Sequence, residues 1–151
     1  MKPFRQYIQE SLSSSYPIID TDKQIGSDGD RSYKKYVFQP DGSRETYQIR
    51  LYYMYGSVEV EFRRGAFDFD LVGGTSATVS LRIFATVASV LKQFLKEHTE
   101  ITEIYFSSYD KRTVRLYTRF GHMIAKELKW EVDEPDFSHR MPVVSIYKPH
   151  S

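Results

Sequence analysis

Two stretches of helical period, separated by a short run of strand formers, constrain this chain more than anything else in it. Phe84, Val87, Ala88, Leu91 and Leu95 fall at i, i+3, i+4, i+7 and i+11, one broad apolar stripe for a helix starting near Thr75. Ser80, Ser89, Lys92, Gln93 and Lys96 take the rest of the wheel. Lys111 to Leu128 repeats the pattern, with Val114, Tyr117, Phe120, Ile124 and Leu128 on one side. Between them, Glu103-Ile104-Tyr105-Phe106-Ser107 is too short and too rich in strand formers for a helix. It reads as a strand covered by its two flanking helices. Strand, helix, strand, helix at this spacing needs a crossover, and a crossover lets neighbouring strands run parallel.

Upstream the period is two. Tyr33 to Phe38 reads as a strand, Pro40-Asp41-Gly42 as a turn and Glu45 to Tyr53 as the return strand, with Gly56-Ser57 turning the chain again. Val58, Val60 and Phe62 alternate with Glu59, Glu61 and Arg63, a half-buried strand. Arg64-Gly65 turns into Ala66 to Val72, which sets Phe67, Phe69 and Leu71 against Asp68 and Asp70. Downstream, Lys129 to Val132 and Val143 to Tyr147 are expected strands, the second closing the sheet, around a polar loop from Asp133 to Arg140. Thr21 to Ser32, with Gly26 and Gly29, reads as loop. Lys2 to Ser11 reads as a short amphipathic helix with Phe4, Tyr7 and Ile8 on one side. At about three turns it is marginal alone and must dock, on this domain's own sheet or on a partner. Pro17 disfavours helix at Tyr16. The expected fold is α+β: a mixed, mostly antiparallel sheet of six to seven strands, two main helices and a short N-terminal helix. Residues 1–15 form the docking segment and 16–151 a single domain.

Composition narrows the chemistry. Tyr and Phe are abundant, 12 and 10 of 151 residues, which favours aromatic cross-strand pairs. The absence of cysteine excludes disulfides, thiolate nucleophiles and cysteine metal sites, and it fits a reducing cytoplasm. No apolar run reaches the roughly 18 residues of a membrane span, and the N-terminus lacks the apolar core of a secretory signal. A net charge of +1 gives no global attraction to nucleic acid, so such a role would need a local patch. His98, His122, His139 and His150 show no ligand spacing, and no metal site is expected.

Four places have the residue types for function. Gly73-Gly74-Thr75-Ser76 hands a strand to a helix, where free amides and a partial positive charge suit a phosphate. The plainer reading is a glycine turn with Thr75 or Ser76 as the cap. Arg112, Arg115 and Arg119, at i, i+3 and i+7 beside Lys111, suit phosphates or an acidic partner, or form a solvated helix face. Tyr117 lies on an apolar stripe, as a packed core tyrosine or as a hydroxyl near the end of the sheet. Glu59, Glu61, Asp68 and Asp70 sit on exposed strand faces, where one could act as a general base but solubility explains all four more cheaply.

Arg115-Leu116-Tyr117-Thr118-Arg119-Phe120-Gly121-His122 resembles the signature of the fourth helix in the GNAT family of N-acetyltransferases. There a leucine-tyrosine pair is followed three residues later by an apolar residue, a glycine and usually an aromatic. The order of elements fits from Glu45 to Tyr147. The resemblance implies a coenzyme A pyrophosphate site at Gly73, Gly74, Thr75, Ser76 and Ala77, and Tyr117 as the acid that protonates the leaving thiolate. The chain departs from the family at the leading polar residue of the pyrophosphate loop, at the second glycine spacing and at His122. It also lacks the pair of helices that follows the family's first strand. A closer likeness is to small GNAT-like proteins of tailed bacteriophages. It is carried by Tyr16-Pro17, by Leu81-Arg82-Ile83-Phe84-Ala85-Thr86-Val87, and by Tyr105-Phe106-Ser107-Ser108 followed by Arg115-Leu116-Tyr117. No established activity comes with that group; the incomplete pyrophosphate motif together with the dockable N-terminal helix points to a protein-binding module in the cytoplasm of an infected bacterium or on the virion, with a host or virion protein as partner. Acetyl transfer would be lost and no cofactor or membrane needed. Partner contacts would fall on Phe4, Tyr7, Ile8, Arg112, Arg115 and Arg119. The alternatives are an active acetyl-CoA-dependent N-acetyltransferase and, last, a nucleic-acid binder through the three arginines.

Overall fold

The computed structural model describes residues 15–27, 29–40, 44–64, 67–68, 77–108 and 111–149. Strands β1 (Asp20–Gln24), β2 (Ser32–Phe38), β3 (Tyr47–Met54), β4 (Ser57–Arg64) and the two-residue β5 (Phe67–Asp68) lead into helix α1 (Ala77–Glu97). Then follow β6 (Glu103–Ser107), α2 (Lys111–Leu128), β7 (Glu131–Asp133) and β8 (Val143–Tyr147). One sheet runs β1-β2-β3-β4-β6-β8-β7, with β5 paired to the end of β4. Every ladder is antiparallel except β4–β6, which is parallel. The α+β class and the two main helices are those expected, and from β3 onward the elements come in the expected order.

The alternation in β3 and β4 decides which face is buried. Ile49 and Leu51 sit opposite Phe62 and Val60, and Val58 stands beside Ile104 of β6. These side chains are all buried, together with Phe106, Val144 and Ile146. Against them α1 lays Ile83, Phe84, Val87, Leu91 and Phe94, and α2 lays Val114, Tyr117, Phe120 and Ile124. Each such side chain removed from water contributes about 1.5–3 kcal/mol. The helices meet where Phe84 lies 4.4 Å from Phe120, ring centre to ring centre. Aromatic cross-strand pairs form as composition suggested: Tyr33 with Tyr52 and Phe38 with Tyr47, both at 5.9 Å.

Local chemistry sets the boundaries. Tyr55 (φ 51°) and Gly56 (φ 90°) make the two-residue turn between β3 and β4, one residue earlier than the glycine alone suggested. The Gly56 carbonyl then accepts the amide of Thr102 at 2.7 Å, which lays β6 beside β4. Helix α2 ends in a left-handed Lys129 (φ 61°), with Trp130 N–H reaching back to the Ala125 carbonyl at 2.8 Å. The strand expected from Lys129 therefore begins only at Glu131. Ahead of β1, the buried Tyr16 stacks on Phe38 at 5.8 Å and under the Arg82 guanidinium at 3.9 Å. Its amide donates to Thr86 Oγ1 at 2.9 Å, tying the start of the described chain to α1.

Three expectations need correction. The polar stretch from Thr21 suggests loop, yet Asp20–Gln24 is a fully exposed edge strand, held by main-chain pairing that no apolar pattern announces. β6 is covered on one face only: Ile104 and Phe106 are buried while Glu103, Tyr105 and Ser107 are half-exposed. β8 does not close the sheet but sits inside it, between β6 and the edge strand β7. The helix expected over Lys2 to Ser11, and the part of the Ala66 to Val72 strand beyond Asp68, lie outside the described residues.

Candidate functional site

β4 and β6 pair only at Ser57↔Glu103, Val58↔Ile104 and Glu59↔Tyr105, although β4 continues to Arg64 and β6 to Ser107. Past Glu59, β4 takes β5 as its partner instead. On the helix side this parting is occupied by rings. Phe62 and Phe106 stack 6.3 Å apart at an interplanar angle of 7°. Tyr117 lies 5.5 Å from the first and 5.6 Å from the second, with Phe84 edge-on at 6.5 Å. Tyr117 is only 3% exposed.

The tyrosine named by the resemblance thus stands where the two strands part, but as a member of the aromatic core. Its ring packs against Phe62, Phe84 and Phe106. Gly73, Gly74, Thr75 and Ser76 lie outside the described residues, as do Phe4, Tyr7 and Ile8, and Ala77 is the first residue of α1. Arg115 and Arg119 are exposed on the outer side of α2, and Arg112 is in its first turn. The helix turns Arg115 and Arg119 away from Tyr117, so they belong to a different surface.

The opposite face of the sheet carries a groove of about 400 Å³ over the parallel ladder. Its walls are Tyr52 and Met54 of β3, Tyr105 of β6 and Val143 of β8. Ser57, Glu103 and Ser145 line it with polar atoms, and Arg31 closes one side. The Arg31 guanidinium lies 4.7 Å over the Tyr52 ring and 3.6 Å from Glu59 Oε2. Ser57 Oγ donates to Glu103 Oε1 at 3.3 Å. Burial, and then the charge of Glu59 bonded to its hydroxyl, push Tyr105 above the ordinary tyrosine value. Glu61 is held by Arg63 at 2.6 Å. The groove therefore offers aromatic faces with hydroxyls and a largely neutralised ion pair.

Sequence reasoning placed Glu59 on this side but missed Tyr52, Met54, Ser57, Glu103 and Tyr105 as neighbours. Period-two alternation does put each on the outward face of its strand. That β6 lies next to β4, which brings them together, is a long-range fact. The histidines serve locally: His122 Nε2 meets Glu134 at 2.6 Å, and His98 stacks on Phe94 at 4.2 Å. Among the described residues no group of three or more acidic or histidine side chains could hold a metal ion, and no helix is long and apolar enough to cross a membrane.

No family model matches this chain, and no curated protein does. One solved structure is similar, a "putative acetyltransferase" from Sphaerobacter thermophilus DSM 20745. It shares 10% identity over 98% of this chain and 90% of its own length, with a TM-score of 0.41. Likeness at that level carries no argument about either fold or activity.

Proposed function

We propose that this is a GNAT-like domain of the tailed-bacteriophage type whose work is protein binding, with acetyl transfer lost. The observation that carries the reading is the closed aromatic cluster around Tyr117, set against an open groove on the other side of the same strands. A general acid must reach its substrate, and a ring 3% exposed among Phe62, Phe84 and Phe106 does not. The groove instead has the residue types that protein interfaces favour: Tyr52, Tyr105, Met54 and Arg31, flanked by the exposed Val143 and Tyr147. The partner is a host or virion protein met in the cytoplasm of an infected bacterium, and residues 1–15 serve as a second docking segment.

Two measurements test this. Calorimetry with acetyl-CoA at millimolar concentration gives no binding heat; a saturable isotherm overturns the loss of coenzyme A chemistry. In pull-downs from a bacterial lysate, a bound protein is retained by the native chain and lost with Tyr105→Arg, and it weakens when residues 1–12 are removed. A captured protein indifferent to both changes overturns the groove as the interface.

The second reading is an active acetyltransferase, favoured by the placement of Tyr117 against both β4 and β6 where their ladder ends. It would need Gly73 to Ala77 as the diphosphate cradle. Acetyl transfer to an amine, abolished by Tyr117→Phe, would establish it.

A further inference from the structure

The near-neutral total charge conceals a helix face rich in basic residues. Lys111, Arg115, Arg119, His122 and Lys126 follow one another at steps of four, four, three and four along α2, and all five are exposed. Lys129 continues the row just past the helix, and Arg112 belongs to the first turn. No acidic residue occurs on α2 before Glu127, and that one is tied to Lys92 of α1 at 2.5 Å. The span from Lys111 to Lys126 is about 22 Å at the helical rise. Carboxylates gather elsewhere: Glu59, Glu61 and Glu103 lie on the groove side of the sheet, and Glu131 and Asp133 share that face at the β7 edge.

We propose that the outer face of α2 binds the phosphate backbone of a nucleic acid. A row of lysines and arginines along one helix, interrupted only at His122 where Glu134 lies 2.6 Å from the ring nitrogen, complements a linear polyanion of even charge spacing, where an acidic protein patch would need a broader two-dimensional match. Arg115 is steadied by the Phe137 ring, 5.5 Å from its guanidinium carbon, so less side-chain freedom is lost on binding. A lipid surface is disfavoured, because the apolar side of α2 is spent on the sheet: Val114, Tyr117, Phe120 and Ile124 are all buried. Phosphate contacts without base-reading side chains predict binding with little sequence preference. The surface is separate from the groove, so either proposal can fail without the other.

The test is fluorescence anisotropy of labelled duplex and single-stranded oligonucleotides across a salt series. About four contacted phosphates give a slope of log K on log salt of roughly −3 to −4, a loss of about a hundredfold between 50 and 200 mM. The triple variant Arg115→Glu, Arg119→Glu, Lys126→Glu abolishes binding. Lys23→Glu, Lys35→Glu, Lys148→Glu, which changes the net charge equally away from the row, weakens it only modestly. Should the triple variant fail to fold by circular dichroism, Lys126→Gln alone still reduces the slope by about one. No binding to either oligonucleotide in low salt overturns the proposal. So does equal loss in the two triple variants, or capture of polyglutamate or anionic vesicles in preference to nucleic acid.

Discussion

Gly121 sits mid-helix in α2, where glycine costs about 1 kcal/mol against alanine, so replacing it should by local rules stabilise the protein. The packing predicts the reverse. A Cβ at this position would lie 3.2 Å from Val144 Cγ1 and 3.6 Å from Ile146 Cδ1. Both residues are fully buried in β8, a strand paired on its two sides with β6 and β7, and both are β-branched and stiff. Neither can give way cheaply, and overpacking of this kind costs about 1–3 kcal/mol. Gly121→Ala should therefore lose about 1 kcal/mol net. Val144→Ala alone should lose about 2 kcal/mol, for two methyl groups and a small cavity. In the Val144→Ala background the added Cβ has room, the helical preference is realised, and Gly121→Ala gains about 0.5–1 kcal/mol. Urea denaturation of the four proteins closes the cycle, with a coupling of about 1–2 kcal/mol. A Gly121→Ala protein that is more stable than the native one, with an additive cycle, would refute the idea that this glycine exists to let α2 approach β8.

Thr86→Val removes the acceptor for the Tyr16 amide and should cost about 1–3 kcal/mol, while Thr86→Ser costs little; urea melts and amide exchange at Tyr16 measure both. Glu97 is held below the ordinary carboxylate range by Gln93 and then by Lys34, so the stability it contributes is present at neutral pH and is lost as pH falls below about 4.3. Glu97→Gln should flatten that part of the stability profile; an unchanged acid limb would count against the contact. Tyr105, raised by burial and by Glu59, favours the folded state below the ordinary tyrosine value, an advantage that disappears as pH rises through its raised one. Glu59→Gln should bring its ionisation down partway in a spectrophotometric titration, and no movement would argue against their hydrogen bond.

Much of the fold was legible because periodicity is local. The stripe from Phe84 to Leu95, the run Glu103 to Ser107 and the alternation through Val58, Val60 and Phe62 each identify an element without knowledge of its neighbours. β1 escaped because Asp-Thr-Asp-Lys-Gln has no buried side and exists only through its ladder with β2. The start of β7 falls two residues later than the pattern from Lys129 suggests, because Lys129 takes a left-handed conformation usually left to glycine.

From β2 onward the amino-acid order alone settled the kinds of element, their succession, and which side chains on each would seek the core, since burial patterns repeat with the backbone's own geometry. It also excluded cysteine chemistry. Only the assembled sheet decided that β4 and β6 are neighbours and that Tyr117 is enclosed where they part. Only the assembled sheet, too, leaves Tyr52, Glu103 and Tyr105 facing one groove while the α2 cations face the other way. Those outcomes depend on contacts between residues far apart in the chain, and no local preference encodes which distant strand will supply the other half of a site.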